Sequence, residues 1–506
     1  MSGLDPTFVD LPYRALADAA LARARSLGVS HADFRLERVR YQSLAVRDGV
    51  LQDASDAEDL GFAVRVIHRG SWGFASGVVL SPDEAVRVAE TAVAVAEVAA
   101  AMTSTPVELA DEPVHADVTW VSAYEVNPLD VPVAEKAALL VDWTERLRTG
   151  AAVDHARAFC LQVQENKFYA DLAGTSTTQQ RIRLMPGFEA MGSGADTFDS
   201  MASIAPPAGR GWEYLRGIAD GGVHDWDGEI EQVPELLAEK LKAPSVEAGT
   251  YDLVIHPSNL WLTIHESIGH ATELDRALGY EANYAGTSFA TPDLLGSLQY
   301  GSPVMHVTGD RTVEHGLATV GYDDEGVAAQ SWDIVRDGVL VGYQLDRPMA
   351  PLLPGGSGRS NGCAYADSPG HIPIQRMANV SLQPAPEAGP STEELIGRVD
   401  DGLYVVGDKS WSIDMQRFNF QFTGQRFYRI RDGQLVGQVR DAAYQATTTD
   451  FWGSMEAVGG ADTWELGGAF NCGKAQPGQV AAVSHGCPTA LFRGVRILNT
   501  VQEGAA

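Results

Sequence analysis

The sequence predicts an α+β protein: N-terminal α/β modules with antiparallel sheets, followed by a larger strand-rich C-terminal domain built around one central helix. Three observations predict it. The tripeptide Arg-Asp-Gly recurs at 47–49, 336–338 and 431–433 between runs of alternating apolar residues, the mark of two strands joined by a tight turn in which Gly accepts positive φ. Strong helix-start signals fall in the first half of the chain. From Leu253 to Leu278 a brief apolar strand runs into a helix, and the chain beyond that helix is mostly strand and turn.

Taken in order, Leu11 to Leu27 is Ala-rich and amphipathic and predicts a helix stopped by Gly28. Residues 31–47 predict a strand, as do Phe62 to Ile67 and Trp72 to Val79. Ser81-Pro82-Asp83-Glu84 opens a helix to about Ala101, with Ser81 as N-cap, Pro at the first position and Glu84 completing a capping box. Thr103 to Pro113 is polar and acidic and reads as a linker. Val133 to Leu147 predicts a helix, Ala158 to Asp171 and Thr175 to Leu184 a strand pair joined at Gly174, and Val233 to Lys242 another helix. Residues 186–211, rich in Gly, Ser, Ala and Met, are expected to form a long surface loop. Trp411 to Phe422 alternates like one half-buried strand. The expected units are 1–105, 106–245 and 246–506.

Composition narrows the function. A chain of 506 residues has room for two or three domains, and 45% hydrophobic with 21% charged residues is ordinary for a globular protein. The net charge of −30 argues against nucleic acid and acidic membrane surfaces as partners. Four cysteines at 160, 363, 472 and 487 form no CxxC pair and match no disulfide framework, so reduced thiols are expected. No basic region followed by an apolar core opens the chain, and no run of about 18 apolar residues occurs. A cytoplasmic location is expected.

The chemistry concentrates at His265-Glu266-Ser267-Ile268-Gly269-His270. Leu260, Ile264 and Ile268 recur every four residues and mark the buried face of the helix that carries it. Two imidazoles to hold a metal and a carboxylate to take a proton from water are the parts of hydrolytic zinc chemistry. In HExxH the histidines are four apart; here they are five apart. At about 100° per residue they lie roughly 140° apart on a regular helix and do not converge. Either a π-bulge absorbs the extra residue or the helix deforms at Gly269.

Two histidines under-coordinate zinc. Spacing alone leaves Cys472, His485, Cys487 and Cys363 open as the third ligand. Cys472 has small and polar neighbours, unlike a core thiol. Asp323-Asp324-Glu325-Gly326 lacks the spacing of a calcium loop. Gly355-Gly356-Ser357-Gly358-Arg359 does not sit between a strand and a helix as a phosphate loop does, and a substrate-facing loop fits it better.

HESIGHATELD at 265–275, YDDEG at 322–326, SWDIVRDGVLVGY at 331–343, GRSNG at 358–362, PIQRMANV at 373–380 and NCGK at 471–474, in this order, resemble the TldD/PmbA family of zinc metallopeptidases, TldD type. Residues 33–51 and 61–75 resemble the family's N-terminal module. The resemblance implies that His265, His270 and Cys472 hold Zn2+ and that Glu266 is the base. It implies cleavage of peptides or unfolded small proteins, by a homodimer or by a heterodimer with a PmbA-type subunit. An older label ties the family to DNA gyrase; the acidic chain gives no support for direct DNA binding. His485 and Cys487 depart from the pattern, so either is a rival to Cys472. A non-catalytic subunit of a peptidase complex and a zinc hydrolase of non-peptide amides are the alternatives. The intact Glu266 argues against the first, and activity on an unfolded polypeptide separates the second.

Overall fold

The computed structural model describes residues 3–503 apart from 196, 387 and 476. Its first half is built on one seven-stranded sheet. The strands lie in the order Ser71–Gly77, Val50–His68, His31–Arg47, His155–Asp171, Ser176–Ser193 and Val118–Val121, with Phe198–Ala202 also on Ser176–Ser193. His31–Arg47 pairs antiparallel with His155–Asp171, so strands from both sides of the 103–113 stretch share the sheet. The 47–49 turn forms as expected, with Asp48 and Gly49 both at positive φ. Ser81 caps the helix Pro82–Ala100 through the Glu84 N–H, while the Glu84 carboxylate pairs with Arg87 and not with the Ser81 backbone as the capping box required.

The strand alternation sorts the two faces of this sheet. Phe34, Leu36, Phe62 and Phe168 pack under the helices Tyr13–Ser26 and Pro82–Ala100. Further along the same strands, Leu44, Val46 and Phe188 pack against Leu140, Trp143, Trp226 and Leu237 of the helices Val133–Leu147 and Trp226–Lys242. The opposite face carries Arg35, Glu37, Glu165, Lys167, Arg181 and Arg183, all buried. These residues meet the second half of the chain: Lys167 Nζ donates to Asp324 Oδ2 at 2.8 Å, and Arg65 Nη1 to Glu325 Oε1 at 2.8 Å. Asp324 and Glu325 are therefore buried ionic contacts, while Asp323 accepts from the Glu325, Val327 and Ala364 N–H groups.

Residues 186–211 are not a surface loop. The strand Ser176–Ser193 continues through Pro186 and Gly187, and Phe198–Ala202 returns along it. The small residues that look like loop composition are there for close approach: a Cβ at Gly187 would stand 2.8 Å from the Phe159 ring and one at Gly192 would stand 2.0 Å from the Ala152 carbonyl oxygen. The strand from Val50 is also longer than expected, because its exposed polar half pairs with His31–Arg47 without needing an apolar face.

The second half is a ring of five strands. Gly249–Ile255 lies between Asp401–Ile413 and Ala490–Asn499; Ala442–Thr447 joins Ala490–Asn499 to Asn419–Arg431, which pairs back onto Asp401–Ile413 and closes the ring. Leu253, Leu260, Ile264, Phe420, Tyr444 and Phe492 belong to one core, so the central helix packs with this ring. The turns at 336–338 and 431–433 repeat the positive φ pair of 48–49. Trp411 to Phe422 is two strands, not one. Asp414 breaks it by accepting from the N–H groups of Gln416, Phe418 and Asn419, an Asx-type turn that outcompetes the apolar alternation. Outside the ring, Glu465–Lys474 pairs with Gln479–Cys487 as a two-stranded ribbon. No helix among the described residues is long and apolar enough to cross a membrane. The fold class is α+β, as the sequence predicts.

Candidate metal centre

The strand Gly249–Ile255 delivers the chain to His256, whose Nδ1 accepts from the Ser258 N–H and caps the helix Pro257–Ile264. Leu260, Ile264 and Ile268 are fully buried and anchor that helix in the core. From His265 to Gly269 it widens into a π-turn, with the His270 N–H donating to the His265 carbonyl, and then tightens into a 3-10 turn over His270–Thr272. This resolves the five-residue spacing: the wider turn brings the two histidines together edge to face, with ring centroids 4.6 Å apart and planes at 72°. Side chains complete the altered ladder. Gln344 Nε2 donates to the Gly269 carbonyl at 2.6 Å and Tyr300 Oη to the Ser267 carbonyl. Gly269 has an ordinary helical φ of −52°. Its small size matters instead, because a Cβ there would lie 2.5 Å from Met377 Sδ.

His265, His270 and Cys472 bring three donor atoms within 4.8 Å of one another, the one such group among the described residues. Cys472 Sγ is 3.6 Å from His270 Nε2. A tetrahedral ion with bonds of about 2.0–2.3 Å sets its donors roughly 3.3–3.6 Å apart, so the residues present fit a zinc-sized ion. Both imidazoles are held from behind. His485 Nδ1 donates to the Val380 carbonyl at 2.8 Å, which leaves His485 Nε2 to accept from His265 Nδ1 at 2.7 Å. His270 Nδ1 donates to Glu273 Oε2 at 2.8 Å. Each arrangement leaves Nε2 with its lone pair free, the tautomer a metal requires.

Charge reinforces this set. Burial raises the Cys472 thiol, but His270 and Arg376 outweigh it and hold the thiol below its ordinary range. Arg376 Nη2 lies 3.3 Å from Cys472 Sγ. Burial pushes the Cys363 thiol up to about 12 and the Cys487 thiol well above its usual range; the Cys487 thiol meets the Pro257 carbonyl oxygen. Cys363 and Cys487 are outside the three-donor group. His485 is fully buried, and burial holds it well below the usual imidazole range, so it stays neutral behind His265.

Glu266 sits beside the ligand group, nearly buried. Burial raises its carboxyl, and His265, His270 and Arg417 together hold it below its ordinary value. Arg417 Nη1 donates to Glu266 Oε2 at 2.5 Å. Behind His270, Lys474 Nζ donates to Asp275 Oδ1 at 2.8 Å and to Glu273 Oε1 at 3.2 Å. Cys472 and Lys474 alternate onto the same side of Glu465–Lys474, which explains Cys-Gly-Lys as a unit. Sequence reasoning missed Arg376, Lys474 and Arg417 as site residues. Arg376 and Lys474 lie inside PIQRMANV and NCGK, where a signal was present; Arg417 is hidden when its turn is read as strand.

The PmbA/TldA metallopeptidase C-terminal domain matches residues 248–499, and the PmbA/TldA metallopeptidase domain 1 matches residues 32–96. A metalloprotease of Methanothermobacter thermautotrophicus is 27% identical over 479 residues, covering 93% of this chain and 96% of its own. A protein of Saccharolobus solfataricus named zinc metalloprotease TldD homolog is 21% identical over 479 residues, 94% of this chain and 98% of its own. A solved protein of Thermotoga maritima superposes with a TM-score of 0.75 at 17% identity, over 96% of this chain and 100% of its own, and so shares the fold. The first match contains the histidine pair and the cysteine, and the second spans the first three strands of the N-terminal sheet: the chain belongs to the PmbA/TldD family of metallopeptidases.

Proposed function

We propose that this metalloprotease is a zinc peptidase in which His265, His270 and Cys472 hold the metal and Glu266 moves the proton. The observation that carries the reading is the convergence of three donors, each imidazole with Nε2 left free, beside one buried carboxylate. A sulfur and two nitrogens suit zinc better than the oxygen-seeking cations. Zinc held there supplies a Lewis acid and brings the pKa of water to near 7. Glu266 takes the proton of the attacking water and returns it to the leaving amine. Arg276 and Lys474 hold Glu273, and Glu273 holds His270 in the useful tautomer.

The substrate is an extended peptide or an unfolded protein segment. The ribbon strand Glu465–Lys474 supports this, since it carries Cys472 and pairs with one neighbouring strand among the described residues. An added strand gains main-chain hydrogen bonds that are indifferent to side chains. Family resemblance supports a dimer, either of two copies or with a PmbA-type subunit. Four free cysteines support a reducing, cytoplasmic setting.

The test is to purify the chain, alone and with a PmbA-type subunit. Bound metal is measured by mass spectrometry, and hydrolysis of an unfolded polypeptide is followed beside that of a small non-peptide amide. Glu266→Ala is expected to keep one zinc per chain and to lose peptide cleavage by about 100-fold or more. Turnover near the wild-type rate in that variant removes Glu266 as the base. Cleavage of the amide alone rejects the peptidase reading.

A further inference from the structure

We infer that Arg417 is a further catalytic residue of this site, fixing Glu266 by one carboxylate oxygen and donating to the peptide carbonyl oxygen as it gains negative charge. The inference rests on the peptidase reading above. Its first support is geometric. Arg417 Nη1 donates to Glu266 Oε2 at 2.5 Å, and no described residue hydrogen-bonds Oε1. One oxygen is pinned and the other is left to take a proton from water. The guanidinium is largely buried, with its side chain 13% exposed.

The second support is what the turn does without the guanidinium. Asp414 already accepts from the Gln416, Phe418 and Asn419 N–H groups, and Thr448 Oγ1 donates to the Arg417 carbonyl at 2.7 Å. The 285–290 stretch is tied to the same turn, since Thr287 and Phe289 N–H donate to the Met415 and Gln416 carbonyls. These bonds shape the turn through its backbone. They also hold Arg417 at a φ of +63°, a left-handed conformation that a non-glycine residue keeps only when its surroundings impose it. The backbone of the turn thus fixes where the side chain starts, and the guanidinium adds one long contact, to the Ala285 carbonyl, to the bonds that hold the turn and its neighbour together.

The third support is surplus donors. An arginine has five N–H groups. One goes to Glu266 and one, at 3.3 Å, to the Ala285 carbonyl; three remain, and Nε is buried without a partner. In the hydrolysis, the water oxygen bonds to the carbonyl carbon, the C=O pair moves to the carbonyl oxygen, and a water proton goes to Glu266. When the C–N bond breaks, that pair returns to re-form C=O and Glu266 gives its proton to the amine. A preset donor beside the base stabilises the charge on that oxygen at its peak and gains little from the uncharged substrate.

Arg417→Ala and Arg417→Lys test this in the full, metal-loaded protein, in whichever assembly cleaves peptides. Expected for Arg417→Ala is a fall in kcat of about 100-fold or more with KM changed less than about threefold. A phosphinic peptide, a tetrahedral mimic, should bind at least about 30-fold more weakly, while an uncleavable N-methylated peptide binds as to wild type. Zinc content should be unchanged, and added guanidinium should restore part of the Arg417→Ala rate. Arg417→Lys keeps charge but not the planar fork and should fall between the two. A kcat within about threefold of wild type, equal weakening of both peptides, or loss of zinc in both variants overturns the inference. A wild-type protein that holds zinc and cleaves no peptide overturns the underlying reading of the site instead.

Discussion

His485 Nε2 accepts a hydrogen bond from His265 Nδ1 at 2.7 Å across 220 residues of sequence. The rival for the third ligand position is thus the group that orients the first ligand. Its own Nδ1 is committed to the Val380 carbonyl, so the chain of donors runs one way, from His265 to His485 to the backbone.

His485→Ala is therefore expected to weaken zinc binding by about 10–100-fold without abolishing it, as loss of an orienting partner does. Competition with a chromophoric chelator measures this. Complete loss of zinc at micromolar metal, with Cys472→Ser unaffected, would show that His485 ligates and Cys472 does not.

Cys472→Ser should lose most bound zinc at neutral pH, since a serine hydroxyl does not ionise there. Cys472 lies on the ribbon and the histidines on the central helix, 202 residues earlier for His270, so the metal would tie two distant parts of the C-terminal half together. Chelation of wild type should lower the thermal midpoint, and the variant should show a lowered midpoint that chelator no longer moves. A chelator shift as large in the variant as in wild type would contradict the assignment.

Lys474→Met should be costly although it conserves length. The ammonium is fully buried between Glu273 and Asp275, and its removal strands two carboxylates with less compensation. A loss of roughly 3–5 kcal/mol is expected, read from denaturant unfolding. Lys474→Arg should fold better than Lys474→Met, and a neutral result for Lys474→Met would mean that Arg276 suffices for Glu273.

Acid sensitivity is expected from a buried carboxylate away from the metal centre. Burial raises the Asp33 carboxyl, but Arg65 and His31 outweigh it and hold it at about 2, below an ordinary value of 3.8. A carboxyl depressed by folding contributes its stability above the unfolded pKa and loses it as pH falls through the folded one. The window is thus about pH 4 down to 2, and the contribution about 2 kcal/mol. Arg65 also donates to Glu325, so it joins the N-terminal sheet to the second half. Arg65→Gln should lower the urea midpoint at pH 7 and flatten the fall in stability between pH 4 and 2. An unchanged slope across that window would remove Asp33 as its source.

Sequence alone determined what short-range physics controls. The three Arg-Asp-Gly turns, the Ser81-Pro82 helix start and the Val133–Leu147 helix come from φ preferences, caps and periodicity within a few residues. The five-residue histidine spacing demanded an irregular helix, and a π-turn is what forms, because no regular helix turns two side chains so spaced toward one point. Local chemistry misled where a non-local contact overruled it. Glycines at 187 and 192 serve close packing inside a strand, and Asp414 turns an alternating run into a hairpin. The tertiary structure alone decided the closure of the five-strand ring, the burial of Asp324 and Glu325 against Lys167 and Arg65, and which distant groups stand behind each candidate ligand. His485, Arg376 and Arg417 sit on local hairpins or turns, yet their side chains meet His265, Cys472 and Glu266 from 220, 96 and 151 residues away. Such pairings leave no period or spacing in the chain, because their geometry is set by sheet register and packing and not by the residues beside them.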